Sequence, residues 1–567
     1  MGNLLFFLVV LLMGFLYPTG WEPLRFYEDP NLVWPLAGLA AVAAGIGIPV
    51  AAAGAGLARA VARRGGEPLS RGLERALRLY RPASQALGIA GFGLVTFVFH
   101  WPDFIRRTLG LGGTFLLDEA GVLVPFAVLQ LLLWAGTHRI DSALRLAAGA
   151  RAEGPPPRWR AYVGFQSRSL AAFLGLPFLI LAGVSDVLDG SESARMWIYA
   201  YPFLGWGAVL ATLGAVLAGA PFFLRWIWRA RPLPPGPLRE RLEGLARRLG
   251  FRCRDLLVWP TGESRLVNAF VTGLTPGTRY IFFTDALLER LDPDEIEGVL
   301  GHEMGHALRH HLTLFAALTA AYALGLLLLE SPLARWRDVS PFLPAAAATG
   351  MVLAFWGLLF PYLSRRLEVE ADLTGAAAAG GVGPFVRALE RVAFLNGGPR
   401  VLHSWRHFSV ERRVALLHEL TTDPGERSGF ERRMRAVKLG IPLLLGILLI
   451  LGVVRAAEQW REGPRLRDRI ERAFAAEREI RDAFARGDAE TAERVASGAL
   501  AGGLTDEASG YAALGRAHEA RGRTETAKFC YRKALAARPA EPAERLDLLR
   551  RLGTPAGERA GEPGVRH

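Results

Sequence analysis

Cysteine and lysine are scarce in this chain of 567 residues. The two cysteines, Cys253 and Cys530, are too few for the disulfide framework of a small secreted domain. Only three of the 67 cationic residues are lysines, so arginine supplies most of the positive charge behind the net charge of +13. Charged residues are also absent from long stretches, which excludes a soluble enzyme, a disordered protein and a β-barrel.

Nine apolar runs contain no charged residue. They cover residues 4–17, 32–58, 83–99, 120–136, 169–184, 197–224, 312–329, 344–363 and 439–454. A helix needs about 20 apolar residues to cross a bilayer, so the runs predict a polytopic membrane protein with about six spans in residues 1–224. The first run follows no basic residue and precedes no cleavage site, which favours a membrane anchor over a secretory signal.

Arginine is concentrated in alternate connections between the runs. Residues 59–82 and 137–168 are rich in arginine, whereas acidic residues outnumber arginine in 100–119 and 185–196. The positive-inside rule therefore places the arginine-rich connections in the cytoplasm, and we expect the inner membrane of a bacterium as the location. No arginine cluster is interleaved with aromatic residues on a known binding module. We therefore expect membrane lipids as partners and no nucleic acid.

The composition of the sequence changes at residue 225, where the long apolar runs stop and a water-facing lobe begins. The proline-rich segment 231–237 predicts a stiff linker that leaves the membrane, and helical spacing follows over 238–249. Short runs rich in branched and aromatic residues then predict strands over 255–259, 266–272 and 278–283. This mixture indicates an α+β lobe.

The next predicted helix carries a metal-binding motif. Asp292 and Glu295 can form a capping box at its start. His302 and His306 then lie four residues apart on one helix face, which is the spacing that lets two imidazoles bind one zinc ion. Glu303 lies beside them, where a carboxylate can take a proton from water without becoming a ligand. An amphipathic helix with incidental histidines is the alternative.

A catalytic zinc needs a third protein ligand on the same side of the membrane. The runs 312–329 and 344–363 cross the membrane twice and bring the chain back to the side of the histidines. Glu368 and Asp372 follow at once, one helical turn apart. We expect Glu368 to complete the zinc site and Asp372 to accept the second ring N–H of a ligand histidine. Glu370 is the rival ligand, and a solvated acidic patch is the alternative to any site.

These motifs and the two apolar runs follow one another in the order of a known family. Over residues 225 to 420 the chain resembles the membrane zinc metallopeptidases that include the heat-shock protease HtpX, the type I CAAX prenyl endopeptidase and the mitochondrial Oma proteases. The resemblance implies peptide-bond hydrolysis with one Zn²⁺ per chain. It also implies a substrate-binding strand at Asn268, Ala269 and Phe270.

A further histidine and arginine match the family by spacing alone. The resemblance implies that His407 and Arg413 help to hold the substrate carbonyl and the third ligand, although Phe408 replaces the proline of the family. A surface histidine and arginine are the alternative. His310, His311 and His403 have no partner that the sequence can identify, and we expect them to be polar residues near the membrane interface.

The C-terminal part has weak internal repetition. The run 439–454 predicts a last membrane helix, and residues 455–552 resemble tetratricopeptide repeats. The clearer copy contains the segment 511–518 followed by Gly522, Ala527, Tyr531, Ala534 and Pro539, and a weaker copy upstream contains Gly487, Ala492 and Ala499. A plain helical hairpin is the alternative, and residues 553–567 are expected to be disordered. Such a tail suggests a protein partner, and an odd number of crossings places it outside.

Together these patterns predict a mainly α-helical, polytopic membrane protein. Residues 225–438 form its α+β zinc metallopeptidase domain, which includes the transmembrane hairpin at 312–363, and a tetratricopeptide-like tail follows. The predicted activity is that of a zinc endopeptidase with a cytoplasmic catalytic lobe, acting on proteins or peptides in membrane protein quality control or in processing. The alternative is an inactive scaffold or adaptor that acts through the repeat tail.

Overall fold

The structure is a computed structural model that describes residues 33–64, 67, 69–112, 114–148, 155–334, 342–396 and 408–537. The first apolar run, His403, His407, Pro539 and the predicted disordered tail lie outside these residues. The described residues form two compact units. The first unit contains residues up to 187 and residues 206–453, and the second contains residues 188–205 and those from 454 onward.

Helices dominate both units, as the sequence predicts. Before the lobe they are α1 (Val33–Val42), α2 (Ile48–Ala62), α3 (Arg71–Gly93), α4 (Trp101–Asp103), α5 (Leu117–Val122), α6 (Val124–Ala148), α7 (Trp159–Gly190), α8 (Glu192–Ala200) and α9 (Pro202–Ile227). In the lobe and beyond they are α10 (Pro237–Arg248), α11 (Asp285–Arg290), α12 (Pro293–Leu308), α13 (His311–Ala334), α14 (Phe342–Ala354), α15 (Phe360–Ala378), α16 (Val382–Leu395), α17 (Val410–Thr422), α18 (Pro424–Ala485), α19 (Ala489–Ala501), α20 (Glu507–Ala520) and α21 (Thr524–Ala537).

Five helical segments of the described chain are long and apolar enough to cross a membrane. They are Val33–Ala62, Leu117–Ala147, Pro202–Ile227, His311–Leu329 and part of Pro424–Ala485. A bent pair, Trp159–Phe173 and Gly175–Leu188, adds a sixth if it forms one span. Pro177 lies close to that bend and is a known cause of helix kinks. The runs 83–99 and 344–363 are helical but are not among these segments, so the predicted count of nine spans stays a prediction.

The catalytic lobe contains a four-stranded sheet with strand order β1-β2-β4-β3. The strands are β1 (Arg231–Pro232), β2 (Asp255–Trp259), β3 (Ala269–Thr272) and β4 (Tyr280–Thr284). β2 and β4 are parallel, whereas β1 and β3 pair antiparallel on the two edges. The predicted stiff linker at 231–237 begins in a strand, because Arg231 and Pro232 pair with β2.

Apolar side chains cover both faces of this sheet. One face packs against α12 through Ile281, Phe283 and Leu300. The other carries an aromatic cluster in which the Trp228 and Trp259 rings stack with centroids 4.2 Å apart. β4 therefore lies at the centre of the lobe, and α12 is fixed against the sheet.

The start and the packing of α12 follow from local sequence. Asp292 and Glu295 form the predicted capping box, with Pro293 in the first turn. Two glycines then allow α15 to approach closely. A Cβ atom at Gly301 would lie 2.3 Å from the Ala378 Cβ, and one at Gly305 would lie 3.1 Å from the Ala371 Cα. These close contacts bring the two motif-bearing helices together.

The second unit contains the C-terminal helices. α19 is preceded by Gly487 and α21 by Gly522, both in the left-handed region, with φ of 72° and 73°. Ala492, Ala499, Ala527 and Ala534 are buried at the helix contacts. Helices therefore occupy the predicted positions in both copies, and the assignment to tetratricopeptide repeats stays a prediction.

Candidate metal centre

Three side chains from α12 and α15 converge on one point. The Nε2 atoms of His302 and His306 lie 3.3 Å apart, and each lies 3.6 Å from an oxygen of Glu368. The Glu368 side chain is buried, and both histidines are half-buried. One helical turn thus supplies two nitrogen donors, and the facing helix supplies one oxygen donor.

The spacing of these donors fits a tetrahedral zinc ion. Zinc binds histidine nitrogen and carboxylate oxygen at about 2.0–2.2 Å, so neighbouring ligands of a tetrahedral site lie roughly 3.3 Å from one another. The three measured separations lie close to that value. Two neutral imidazoles and one carboxylate are also a donor set that zinc uses in catalytic sites with an open fourth position.

A buried ion pair between Asp372 and Arg413 lies beside the His302 ring, on the side of its Nδ1 atom. The Asp372 Oδ1 atom lies 2.9 Å from His302 Nδ1. Arg413 of α17 donates to both oxygens of Asp372, with distances of 2.8 and 2.5 Å. Burial by itself would raise the pKa of Asp372, but the Arg413 guanidinium outweighs it and holds this pKa below its usual range. Asp372 is therefore charged and lies close enough to Nδ1 to orient the His302 ring.

Glu303 is anchored to the edge of the sheet. The backbone N–H of Val271 in β3 donates to its Oε2 atom at 2.9 Å. The carboxyl is buried, and this burial raises its pKa to about 7. A carboxyl with such a pKa can both accept and return a proton near neutral pH.

A second chain of polar contacts supports His306. Its Nδ1 atom lies 2.9 Å from Nδ1 of the fully buried His311, whose Nε2 lies 2.9 Å from Glu370. Lys438 of α18 donates to the other Glu370 oxygen at 2.7 Å. His311 and Lys438 lower the pKa of Glu370 although burial opposes them. Glu370, the rival ligand, therefore faces His311 and Lys438 in this structure.

The predicted substrate strand lies at the sheet edge. The Thr284 N–H donates to the Asn268 carbonyl, so Phe270 and Thr272 also turn their backbone groups toward β4. The Phe270 ring stacks on Phe282 with centroids 4.7 Å apart and belongs to the aromatic cluster. Ala269 and Val271 alternate with these residues and direct their backbone groups away from β4.

The structure thus brings together the predicted ligands, base, Asp372 and Arg413, while His407 lies outside the described residues. Sequence reasoning missed the contacts of His311, Glu370 and Lys438. Two signals could have found them. His311 follows His306 by five residues, and Lys438 is one of three lysines in an arginine-rich chain.

Comparison with known proteins agrees with this geometry. Residues 232–476 match peptidase family M48. A protease HtpX homolog of Thermococcus sibiricus is 30% identical over 286 residues, which cover 46% of this chain and 93% of that protein. An HtpX homolog of Pyrobaculum islandicum is 31% identical over 193 residues, covering 31% of this chain and 54% of its own.

Two further similarities have lower sequence identity. Protease HtpX of Pseudomonas aeruginosa is 26% identical over 173 residues, covering 29% of this chain and 58% of that protein. The crystal structure of S. mikatae Ste24p aligns with 69% of this chain and 100% of its own, at a TM-score of 0.40 and 18% identity.

Proposed function

This chain belongs to peptidase family M48, and from that premise we propose that it is a membrane-embedded zinc endopeptidase whose metal is held by His302, His306 and Glu368. The chain is an integral membrane protein and a metallopeptidase. The observation that carries the proposal is the convergence of the three donor atoms at 3.3–3.6 Å beside a buried carboxylate, Glu303.

Each residue of the site has a distinct part in peptide hydrolysis. When bound, zinc lowers the pKa of a water molecule and polarises the scissile carbonyl. Glu303 accepts the proton of the attacking water and passes it to the leaving amine. The Val271 N–H holds one Glu303 oxygen and leaves the other for the proton. Asp372 and Arg413 keep the His302 ring in place during these steps.

The substrate binds in extended form along β3. β3 is an edge strand. The backbone groups of Ala269 and the Val271 carbonyl point away from β4, whereas the Val271 N–H donates to Glu303. A peptide that adds to this edge is recognised mainly through its main chain, with little demand on its side chains. Such broad recognition favours quality control of membrane proteins over the processing of one dedicated substrate.

The catalytic lobe faces the cytoplasm from the inner membrane of a bacterium. The arginine-rich connections 59–82 and 137–168 support this orientation. Arg145 supports it further, because it donates to the backbone carbonyls of Glu263 and Ser264 in the lobe. A connection that is cytoplasmic by its arginine content therefore contacts the lobe directly.

Replacement of Glu303 by glutamine tests the proposal. The Glu303→Gln protein should keep one zinc per chain and lose hydrolysis of unfolded casein in detergent, because the ligands remain and the base is gone. Asp294→Asn, an exposed change on the same helix, is the matched control and should keep both. Full turnover by Glu303→Gln would contradict the mechanism, and zinc-loaded wild type without turnover would favour the adaptor.

A further inference from the structure

Three carboxylates meet in the first unit, away from the peptidase residues. Asp118 and Glu119 of α5 and Asp186 of α7 each place an oxygen within 4.8 Å of the oxygens of the other two. The segment that matches the peptidase family begins only at residue 232. The carboxylate cluster of Asp118, Glu119 and Asp186 therefore lies outside the known catalytic region.

Asp118 and Glu119 are buried, Asp186 is half-buried, and part of the hydrogen-bonding capacity of the cluster is unused. Asp118 is 5% exposed and Glu119 is 9% exposed. Arg106 donates to Asp118 Oδ2 at 2.9 Å, and the Leu116 N–H donates to Asp186 Oδ2 at 2.8 Å. Within the described part of the chain, Asp118 Oδ1 and Glu119 Oε2 are buried without a hydrogen-bond partner.

The charges of the cluster do not balance. When all three carboxylates are ionised they carry a charge of −3, and the Arg106 guanidinium contributes +1. Like charges so close together repel one another, and burial of an unpaired charge is costly. The remaining charge of −2 is the charge that one divalent cation neutralises. Ca²⁺ and Mg²⁺ prefer carboxylate oxygens as ligands.

We propose that Asp118, Glu119 and Asp186 bind one hard divalent cation, with Ca²⁺ as the best fit to irregular carboxylate ligands. Asp118 Oδ1 and Glu119 Oε2 become ligands, so their missing partner is the ion itself. The ion joins α5 to the end of α7, which lies about 70 residues further along the chain. It thereby fixes the connection that carries Arg106 and Leu116 against α7.

The location of the cluster suits calcium. The connections 100–119 and 185–196 carry an excess of acidic residues and lie outside the cell by the positive-inside rule. Calcium sites of extracellular modules bind with dissociation constants of about 10⁻⁴–10⁻³ M. A site of three carboxylates that also pairs with one arginine is expected to have a calcium dissociation constant in this range.

Calcium binding by the zinc-loaded full-length protein in detergent tests the proposal. Equilibrium dialysis with radioactive Ca²⁺ should give one saturable site per chain, and Ca²⁺ should raise the thermal midpoint. Glu119→Gln and Asp186→Asn should each weaken binding about tenfold or more. Asn at 186 keeps an oxygen that can accept the Leu116 N–H, so this variant preserves the local fold. Asp103→Asn, an acid of the same connection, is the matched control and should bind as wild type.

Several outcomes would overturn the site. Saturable binding of neither Ca²⁺ nor Mg²⁺ up to about 10 mM, well above the range expected of such sites, would leave a shared proton as the explanation of the close carboxylates. Equal binding by wild type and by the Glu119→Gln and Asp186→Asn variants would place any ion elsewhere. Casein hydrolysis by each variant serves as the check on folding, because no residue of the cluster belongs to the peptidase site.

Discussion

The His306 imidazole is held from both sides. Its Nε2 faces His302 and Glu368 at the proposed zinc site, and its Nδ1 faces the buried His311. Glu370 and Lys438 continue this contact away from the metal. Partners of this kind fix the orientation of a ligand histidine and raise its basicity. We therefore expect Glu370 to be a positioning residue, although sequence spacing made it a rival for the ligand position.

Substitution of Glu370 should weaken zinc binding without abolishing it. Glu370→Ala should release zinc to a chelator about tenfold faster, because outer partners contribute 10- to 100-fold to metal affinity. Glu368→Ala should lose the metal entirely, and the exposed Glu426→Gln should match wild type. Zinc content and release kinetics measure the effect independently of activity. Full zinc retention in Glu368→Ala, with loss in Glu370→Ala, would reverse the two roles.

The part of the site that the sequence predicts consists of residues within one helical turn of each other. His302 and His306 share one helical turn, and Glu368 and Asp372 share another, so their faces follow from helix geometry alone. The contact of His311 with Glu370 joins residues 59 positions apart, and the contact of Val271 with Glu303 joins an edge strand to a helix. These contacts depend on tertiary packing, which periodicity does not encode.

At the scale of secondary structure, the site depends on the close packing of α12 against α15. Gly301 and Gly305 lie one turn apart on the α12 face that meets Ala371 and Ala378. Ridges of side chains would hold two helices 8–10 Å apart, whereas glycine lets the backbones come closer. This approach sets the distance between the histidines of α12 and Glu368 of α15.

Replacement of Gly301 by alanine should disturb the metal site, although Gly301 is not one of the metal ligands. The new Cβ would lie 2.3 Å from the Ala378 Cβ, and overpacking of this kind costs about 1–3 kcal/mol. Gly301→Ala should therefore lower both the thermal midpoint and the zinc affinity. Gly244→Ala in α10 is the matched control, because its Cβ meets only ordinary contacts and alanine favours helix. Equal behaviour of the two variants would contradict this view of the helix contact.

The strands differed in how well the sequence predicted their bounds. β2 has the predicted bounds, because a short apolar run with branched residues is typical of a buried strand. β3 is shorter than predicted, since Val267 exchanges hydrogen bonds with the Asn396 side chain before the strand begins. β1 was missed, because a two-residue edge strand containing proline has no periodic signal.

At the scale of the whole molecule, the question is where α18 ends relative to the membrane. The apolar run 439–454 is short for a span, but it lies within one continuous helix of 62 residues. Many of its side chains are exposed to the surroundings, including Leu439, Ile450 and Val453. Continuous helix and exposed apolar side chains are what a lipid-facing span requires.

Residues before and after this run contact two different parts of the chain. Lys438 pairs with Glu370, which follows the hairpin on the side of the metal site. Gln459 accepts a hydrogen bond from the Phe203 N–H, and the Trp460 ring lies 5.1 Å from that of Tyr201. Phe203 lies in the first turn of α9, whose last turn carries Arg225. The positive-inside rule puts the acidic connection 185–196 outside, so we expect Phe203, residue 459 and the helical tail on that side.

Cysteine labelling in intact cells tests the side of the tail. Cys530 is buried, so the probe belongs at Thr526, which is exposed on α21. In a background without Cys253 and Cys530, Thr526→Cys should react with a membrane-impermeant maleimide, because an odd number of crossings separates it from the lobe. Arg248→Cys, exposed on α10, should react only after the membrane is permeabilised. Protection of both positions before permeabilisation would place the tail beside the metal site and reduce the number of spans by one.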